Sequence, residues 1–367
     1  MPSHARLAAL LTAVVCAACT PAALLPYRPE QAPTVTLPAS RAGITDARPA
    51  FAALFAAELA AAGDTRPQAW LHGAALQATL PADLHAMFAA RAQSTTVLLV
   101  NGLFGDCLGA QSVPFGDGIE RTPERSLTEA YRQYADLGLR SIRAVPVPGR
   151  APSAANGQQL ADAIRAEAAQ AGVQRIVLVT YSKGTPDALH ALALLQGNGG
   201  LPPQFAALVS VSGAVMGTPL ADFVQPAYDV VSPWVTPLDC TPSQGGDLAS
   251  VTRAERVAWL AANPLPPGPA YYSIVAHVPL DEMAPPLRLT GRRLALVDPR
   301  NDGQLLAADM VLPGSTLLAE ARADHWDVAL PRDRHPDRML RAMSSGRGYP
   351  REALFRATLK WVVATAP

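Results

Sequence analysis

The segment TTVLLV, Thr95 to Val100, is a continuous apolar run, the pattern of a strand buried on both faces. Five further segments carry strand patterning: RSIRAVPV from Arg140, RIVLVTY from Arg175, FAALVSVS from Phe205, YYSIVAH from Tyr271 and STLLAEA from Ser315. Helical patterning separates them. Residues 48 to 62 and 81 to 92 read as helices leading into the domain. Asn156 starts a helix with Leu160, Ile164 and Ala168 on one face. Another spans about Lys183 to Gln196, where Pro186 and Asp187 both suit the first turn. A last helix runs from about Pro350 to Val363. Strands alternating with helices predict an α/β fold: a mostly parallel sheet with helices on both faces. Such sheets bind ligands at the C-terminal ends of their strands.

One stretch interrupts the alternation. Residues 219 to 270 hold Pro226, Pro233, Pro237, Pro242 and Gly245-Gly246 before a short helix. Thr252 and Glu255 form a capping-box signal, and Asn263-Pro264 ends that helix. An insertion between two strands lies above the strand ends, so this one reads as a cap. Trp234, Leu238, Trp259 and Leu260 are its candidates for lining an apolar pocket, or plain core residues of the cap.

The 367 residues, 49% hydrophobic and 16% charged, suit a globular chain with a large core. Lys plus Arg balances Asp plus Glu at 30 each, so no basic footprint for nucleic acid is present. No cluster of metal-ligand spacing and no nucleotide-binding glycine loop stands out, and no cofactor is expected. His4 and Arg6 precede a short apolar run, Leu7 to Cys16, the layout of an export signal over residues 1 to 18. The run ends in CAAC, which resembles a bacterial lipobox with Cys19 as the lipidated residue. Cys16 departs from the aliphatic residue usual there. Cleavage without lipidation would instead release a soluble secreted protein. Residues 19 to 50, rich in Pro, would serve as a tether. The expected location is therefore periplasmic, anchored at the outer membrane, or secreted, with membrane contact through the lipid if Cys19 is modified.

The sharpest chemical signal is VLVTYSKGTPDALHAL: strand, tight turn, helix. Ser182 sits at the turn with Gly184 two residues later. This is the G-x-S-x-G pattern with Thr180 in place of the first glycine. Such a turn holds the serine Oγ out above the sheet, next to a helix N-terminus that favours developing negative charge. A serine acting only as a helix cap is the plainer reading. The buried strand before it favours a nucleophile. Ser210 and Ser212 also end a strand, but GAVMGTP after them does not start a helix.

Here the chain resembles the α/β-hydrolase superfamily, in particular lipase-like bacterial esterases, over roughly Thr95 to Leu330. Besides TYSKG, the resemblance rests on NGLFG (Asn101 to Gly105), GTPLAD (Gly217 to Asp222), NDG (Asn301 to Gly303) and DHW (Asp324 to Trp326). Asn101 stands where such lipases usually carry a non-catalytic His. The resemblance implies backbone oxyanion donors at Lys183, after the nucleophile, and at Leu103. It also implies the chain order Ser, acid, His. His325, in the loop after the last strand, fits the base. His335 lies in a charged run that reads as surface; His72, His85, His190 and His277 fit less well. Asp302 matches the acid, with Asp298, Asp281 and Asp309 as rivals. Asp324 and Asp327 lie too close in sequence to His325.

Once Cys16 and Cys19 are lost or modified, Cys107 and Cys240 remain. In an oxidising compartment they can pair and pin the cap near the site; two free thiols are the alternative. The implied activity is cleavage of carboxylic esters, of small molecules or lipids, through an acyl-serine intermediate. An acyltransferase or a thioesterase would carry the same motifs. A non-catalytic envelope lipoprotein could share the fold.

Overall fold

The computed structural model describes residues 43–73, 79–105, 113–116, 129–231, 243, 245–334 and 338–367. The expected signal, Cys19, Cys107, Cys240, Trp234, Leu238 and His335 lie outside them.

Seven strands form one sheet: β1 (Thr45–Asp46), β2 (Thr95–Val100), β3 (Ser141–Val145), β4 (Arg175–Tyr181), β5 (Phe205–Val211), β6 (Ala270–Ala276) and β7 (Thr316–Ala321). Their order is β1-β7-β6-β5-β4-β2-β3 and every pairing is parallel. The six strands expected from patterning are present, two with the expected ends and four with ends shifted by a residue or two. β1 is an addition. The expected tether ends sooner than residue 50, because Thr45 and Asp46 pair with Thr316 and Leu317. Two residues are too few to show a period, which is why patterning passes over β1.

Burial of both sheet faces follows from the alternation within each strand. Val97, Leu99, Val177 and Val179 face one core with helices α1 (Arg48–Ala61), α2 (Leu84–Ala92) and, near the C-terminus, a helix over Arg351–Thr365. Phe51, Leu54, Phe55 and Leu59 give α1 its buried stripe at helical spacing. Leu98, Val100, Ile176 and Leu178 face the other core, with α3 (Ser153–Ala168) and α4 (Gly184–Gly197). α3 and α4 pack closely enough that a Cβ on Gly157 would lie 2.6 Å from His190 Cβ.

Between β5 and β6 the chain builds α5 (Pro219–Val231) and α6 (Arg253–Ala262), the expected cap region. Thr252 caps α6 by accepting from the Glu255 N–H, and Asn263 ends it. After β6 come α7 (Pro285–Leu294), then β7, α8 (Arg338–Arg341) and α9 (Arg351–Thr365). Among the described residues, no helix is long and apolar enough to cross a membrane.

Candidate active site

β4 ends at Tyr181, and α4 begins at Gly184. Ser182 between them has φ +54°, a left-handed conformation that costs a non-glycine residue on the order of 1–3 kcal/mol. The surroundings enforce it. Ser182 N donates to Val211 O at 3.3 Å, and Ser182 O accepts from Thr185 N and Ala214 N, each at 3.1 Å. Two glycines make room. A Cβ on Gly184 would stand 2.5 Å from Asn101 O, and one on Gly102 would stand 2.7 Å from Ser182 Cβ.

Thr180 fits where glycine is usual because its hydroxyl is fully used. Thr180 Oγ1 donates to Val209 O at 3.0 Å and lies 2.8 Å from Thr185 Oγ1, which is 3.1 Å from Ser210 Oγ. Three buried hydroxyls thus satisfy one another beneath the elbow. Ser210 belongs to this support and not to the cavity.

Ser182, His325 and Asp302 are brought together from three separate loops. Ser182 Oγ is 2.9 Å from His325 Nε2, and His325 Nδ1 is 2.6 Å from Asp302 Oδ2. All three are buried, Ser182 the least, with 8% of its surface exposed. Asp302 divides its oxygens. Oδ1 accepts from Gln304 N at 2.8 Å and Leu305 N at 2.7 Å, which leaves Oδ2 for the imidazole. His325 N also donates to Asp302 O at 2.8 Å, so backbone and side chain hold the pair in one register. Tyr181 OH donates to His325 O at 2.6 Å.

The loop after β2 passes directly over Ser182. Its turn is closed by Gly105 N donating to Gly102 O at 3.1 Å, with Phe104 at φ +61°. The backbone N–H groups of Leu103 and Lys183 donate to no acceptor among the described residues. Both residues line the cavity above Ser182. The Lys183 side chain turns away from it. Its Nζ pairs with Asp187 at 2.7 Å, and Asp187 also accepts from Ser153 Oγ and Asn156 Nδ2.

That cavity measures about 540 Å³ and is mostly apolar. Leu220, Val224, Leu248 and Val251 of the cap region form one wall, and Trp326, Leu330, Arg332 and Met343 another. Trp259 and Leu260 are not part of it. They pack on the α3–α4 side, where Trp259 lies 4.5 Å from the His190 ring and under the Arg256 guanidinium. Their side of α6 faces the core, a distinction that an apolar count does not make.

The rival residues are occupied elsewhere. Asp298 pairs with Arg300 at 2.6 Å, Asp281 is exposed, and Asp309 pairs with Arg253 at 3.1 Å. Asp324 accepts from Ala284 N, Trp326 N and Asp327 N and so shapes the loop that carries His325. Burial, then repulsion from Asp327, pushes its carboxyl up to about 7. His277 stacks on His72 at 3.9 Å, away from the cavity. Burial lowers His190 to about 4. Tyr181 and Arg332 escaped sequence reading. Tyr181 reads as an ordinary strand residue, and Arg332 opens a charged run that reads as surface. Among the described residues, no group of three His, Cys, Asp or Glu side chains is placed to hold a metal ion.

A parallel sheet of this order, with a serine at a strained strand-to-helix turn and a cap before β6, is the α/β-hydrolase fold, of the esterase- and lipase-like kind. Among solved structures, the chain is similar to a metagenomic carboxyl esterase at 28% identity, covering 95% of this chain and 98% of that one, with a TM-score of 0.74. A Bacillus licheniformis lipase in its propeptide form shares the fold at 17% identity, over 73% of this chain and 50% of that one, with a TM-score of 0.50. No protein-family model and no curated relative matches the sequence.

Proposed function

We propose that the protein is a carboxylic ester hydrolase working through an acyl-serine intermediate, with Ser182 as nucleophile, His325 as base and Asp302 as the orienting acid. The observation that carries this reading is the continuous relay from Ser182 Oγ through His325 to Asp302, opening onto an apolar cavity. The carboxyl esterase that aligns over nearly the whole chain supports the substrate class.

In the first half-reaction Ser182 Oγ attacks the ester carbonyl carbon and its proton passes to His325 Nε2. The carbonyl oxygen takes up negative charge between the N–H groups of Leu103 and Lys183. One such donor is worth about 2.7–4 kcal/mol in the transition state. The C–O ester bond then breaks, and the departing alkoxide takes the proton back from His325. In the second half-reaction a water attacks the acyl carbon, His325 takes its proton, and the bond to Ser182 breaks. The acid is released and Ser182 regains its proton. Asp302 keeps the imidazole in the tautomer with hydrogen on Nδ1 and offsets its positive charge.

A fluorophosphonate probe tests this. Labelling should map to Ser182 and vanish in Ser182→Ala, in parallel with turnover of short-chain esters. Absence of labelling in the wild-type chain, or its survival in Ser182→Ala, overturns the reading.

We also propose export of the chain with lipid on Cys19, on the strength of the apolar run and the CAAC segment. Mass analysis of the mature N-terminus tests it. An unmodified Cys19, or a retained residue 1, overturns it.

A further inference from the structure

Arg332 is a buried cation with no anion at contact distance among the described residues. It is 5% exposed, yet Nε and Nη1 lack any hydrogen-bond partner, and no ion pair joins it to a carboxylate among the described residues. Of the other buried arginines, Arg253 and Arg351 pair with Asp309 and Asp333, while Arg256 lies over Trp259 outside the cavity. The Arg332 guanidinium lies over the Trp326 ring, 3.8 Å from its centre. The nearby acids are engaged elsewhere: Asp324 on three backbone N–H groups, Asp327 on Ser345 Oγ. An arginine keeps its charge at any ordinary pH, so the position holds a fixed positive charge in a partly dehydrated setting.

The setting is the wall of the cavity that holds Ser182 and His325. The rest of that lining is mostly apolar, so Arg332 is a cationic anchor among largely apolar neighbours. Its side of the cavity follows from the chemistry. The oxyanion points at Leu103 and Lys183, while the leaving oxygen must reach His325 Nε2. The alcohol portion of an ester therefore lies on the His325 side. Trp326, Leu330 and Arg332, which follow His325 in the chain, line the same cavity.

We propose that Arg332 selects esters whose alcohol portion carries a carboxylate, that is, esters of hydroxy acids. A guanidinium donates charge-assisted hydrogen bonds to a carboxylate, which are roughly twice as strong as neutral ones. A carboxylate also loses less hydration than a dianionic phosphate on entering so apolar a cavity. The inference rests on Ser182 acting as the nucleophile.

The test compares O-butyrylglycolate with O-butyrylglycolamide, which share an acyl group and nearly a shape but differ in charge. The wild-type protein should favour the charged ester in kcat/KM by about tenfold to a hundredfold. In Arg332→Gln that ratio should collapse to about one, and Arg332→Lys should retain an intermediate ratio. A ratio cancels any loss of folded protein, and a purely structural Arg332 would lower both rates alike. A wild-type ratio of one or less overturns the inference, and so does a ratio unchanged in Arg332→Gln. If Ser182 is labelled and the neutral ester is cleaved with no preference, only the role of Arg332 falls. If neither ester is cleaved and no probe reacts, the serine reading falls with it.

Discussion

The hydroxyl of Tyr181 donates to the main-chain carbonyl of His325 at 2.6 Å, and the two rings lie 5.1 Å apart. Tyr181 is the last residue of β4, directly before Ser182. The strand that presents Ser182 therefore also holds the backbone of His325. A buried hydrogen bond of this kind contributes about 0.5–1.5 kcal/mol. Tyr181→Phe should lower kcat by about 2- to 10-fold with little change in KM, measured by steady-state ester hydrolysis. An unchanged kcat would mean that the Asp324 contacts alone fix the loop.

Asp302→Asn keeps the shape of the acid, and its oxygen can still accept the N–H groups of Gln304 and Leu305. It removes the negative charge facing His325 Nδ1 and allows the wrong tautomer. The expected loss in kcat is on the order of 10³- to 10⁴-fold with normal folding by circular dichroism. Asp298→Asn should leave kcat within about twofold, since that acid pairs with Arg300. The reverse outcome would move the acid to Asp298.

Gly102→Ala puts a methyl group 2.7 Å from Ser182 Cβ and 3.1 Å from its Oγ. Either the Leu103 N–H shifts or the serine rotates. Misplacement on this scale costs about a hundredfold in rate, so kcat should fall far more than the melting temperature does. Equal activity in the variant would detach the loop from the chemistry.

Asp187 is the hub of a buried cluster with Lys183, Ser153 and Asn156. Removing one member of a buried pair strands the other charge, at about 3–5 kcal/mol. Asp187→Ala should therefore lose stability on that scale in urea titration. It should also lose activity, because Lys183 carries a backbone N–H facing the cavity. A loss under about 1 kcal/mol would show that Lys183 finds another partner.

Asp309 supplies a pH signature. Burial pushes its carboxyl from the ordinary 3.8 up to about 7, against the opposing pull of Arg253. Asp222 and Asp298 raise it further. Between about pH 4 and 7 the folded chain thus holds a proton at this site that the unfolded chain has lost. Stability due to this group falls as pH rises across that window and is level outside it. The melting temperature of Asp309→Asn relative to wild type should climb from pH 4 to pH 7 and then flatten. A flat difference throughout would contradict the shift.

Much of this molecule is legible from one sequence, for a physical reason. Doubly buried strands such as Thr95–Val100 leave continuous apolar runs, and the elbow needs small residues at fixed offsets from Ser182. Asp302 and His325 could be ranked only through chain order and the resemblance of their NDG and DHW segments, because their 2.6 Å contact joins residues that no local pattern relates. Other features were hidden, Tyr181 among them. β1 is two residues long and has no period. Trp259 and Leu260 are apolar whichever way α6 faces. Arg332 sits in a run of charges whose average is a solvated surface, while its own side chain is 5% exposed.

The hydroxyl cluster of Thr180, Thr185 and Ser210 bears on how this elbow can change over evolutionary time. A single step from Thr180 to the commoner glycine would remove one of the two hydroxyl partners of Thr185 and open a gap under Ser182. Gly213 is caught in the same arrangement, since a Cβ there would fall 2.1 Å from Ser210 Oγ and 2.2 Å from Thr185 Oγ1. The four positions are therefore entrenched together. A lineage that reaches the threonine elbow reverts only by passing through a weakened intermediate, so the variant motif should travel through descent as a linked set.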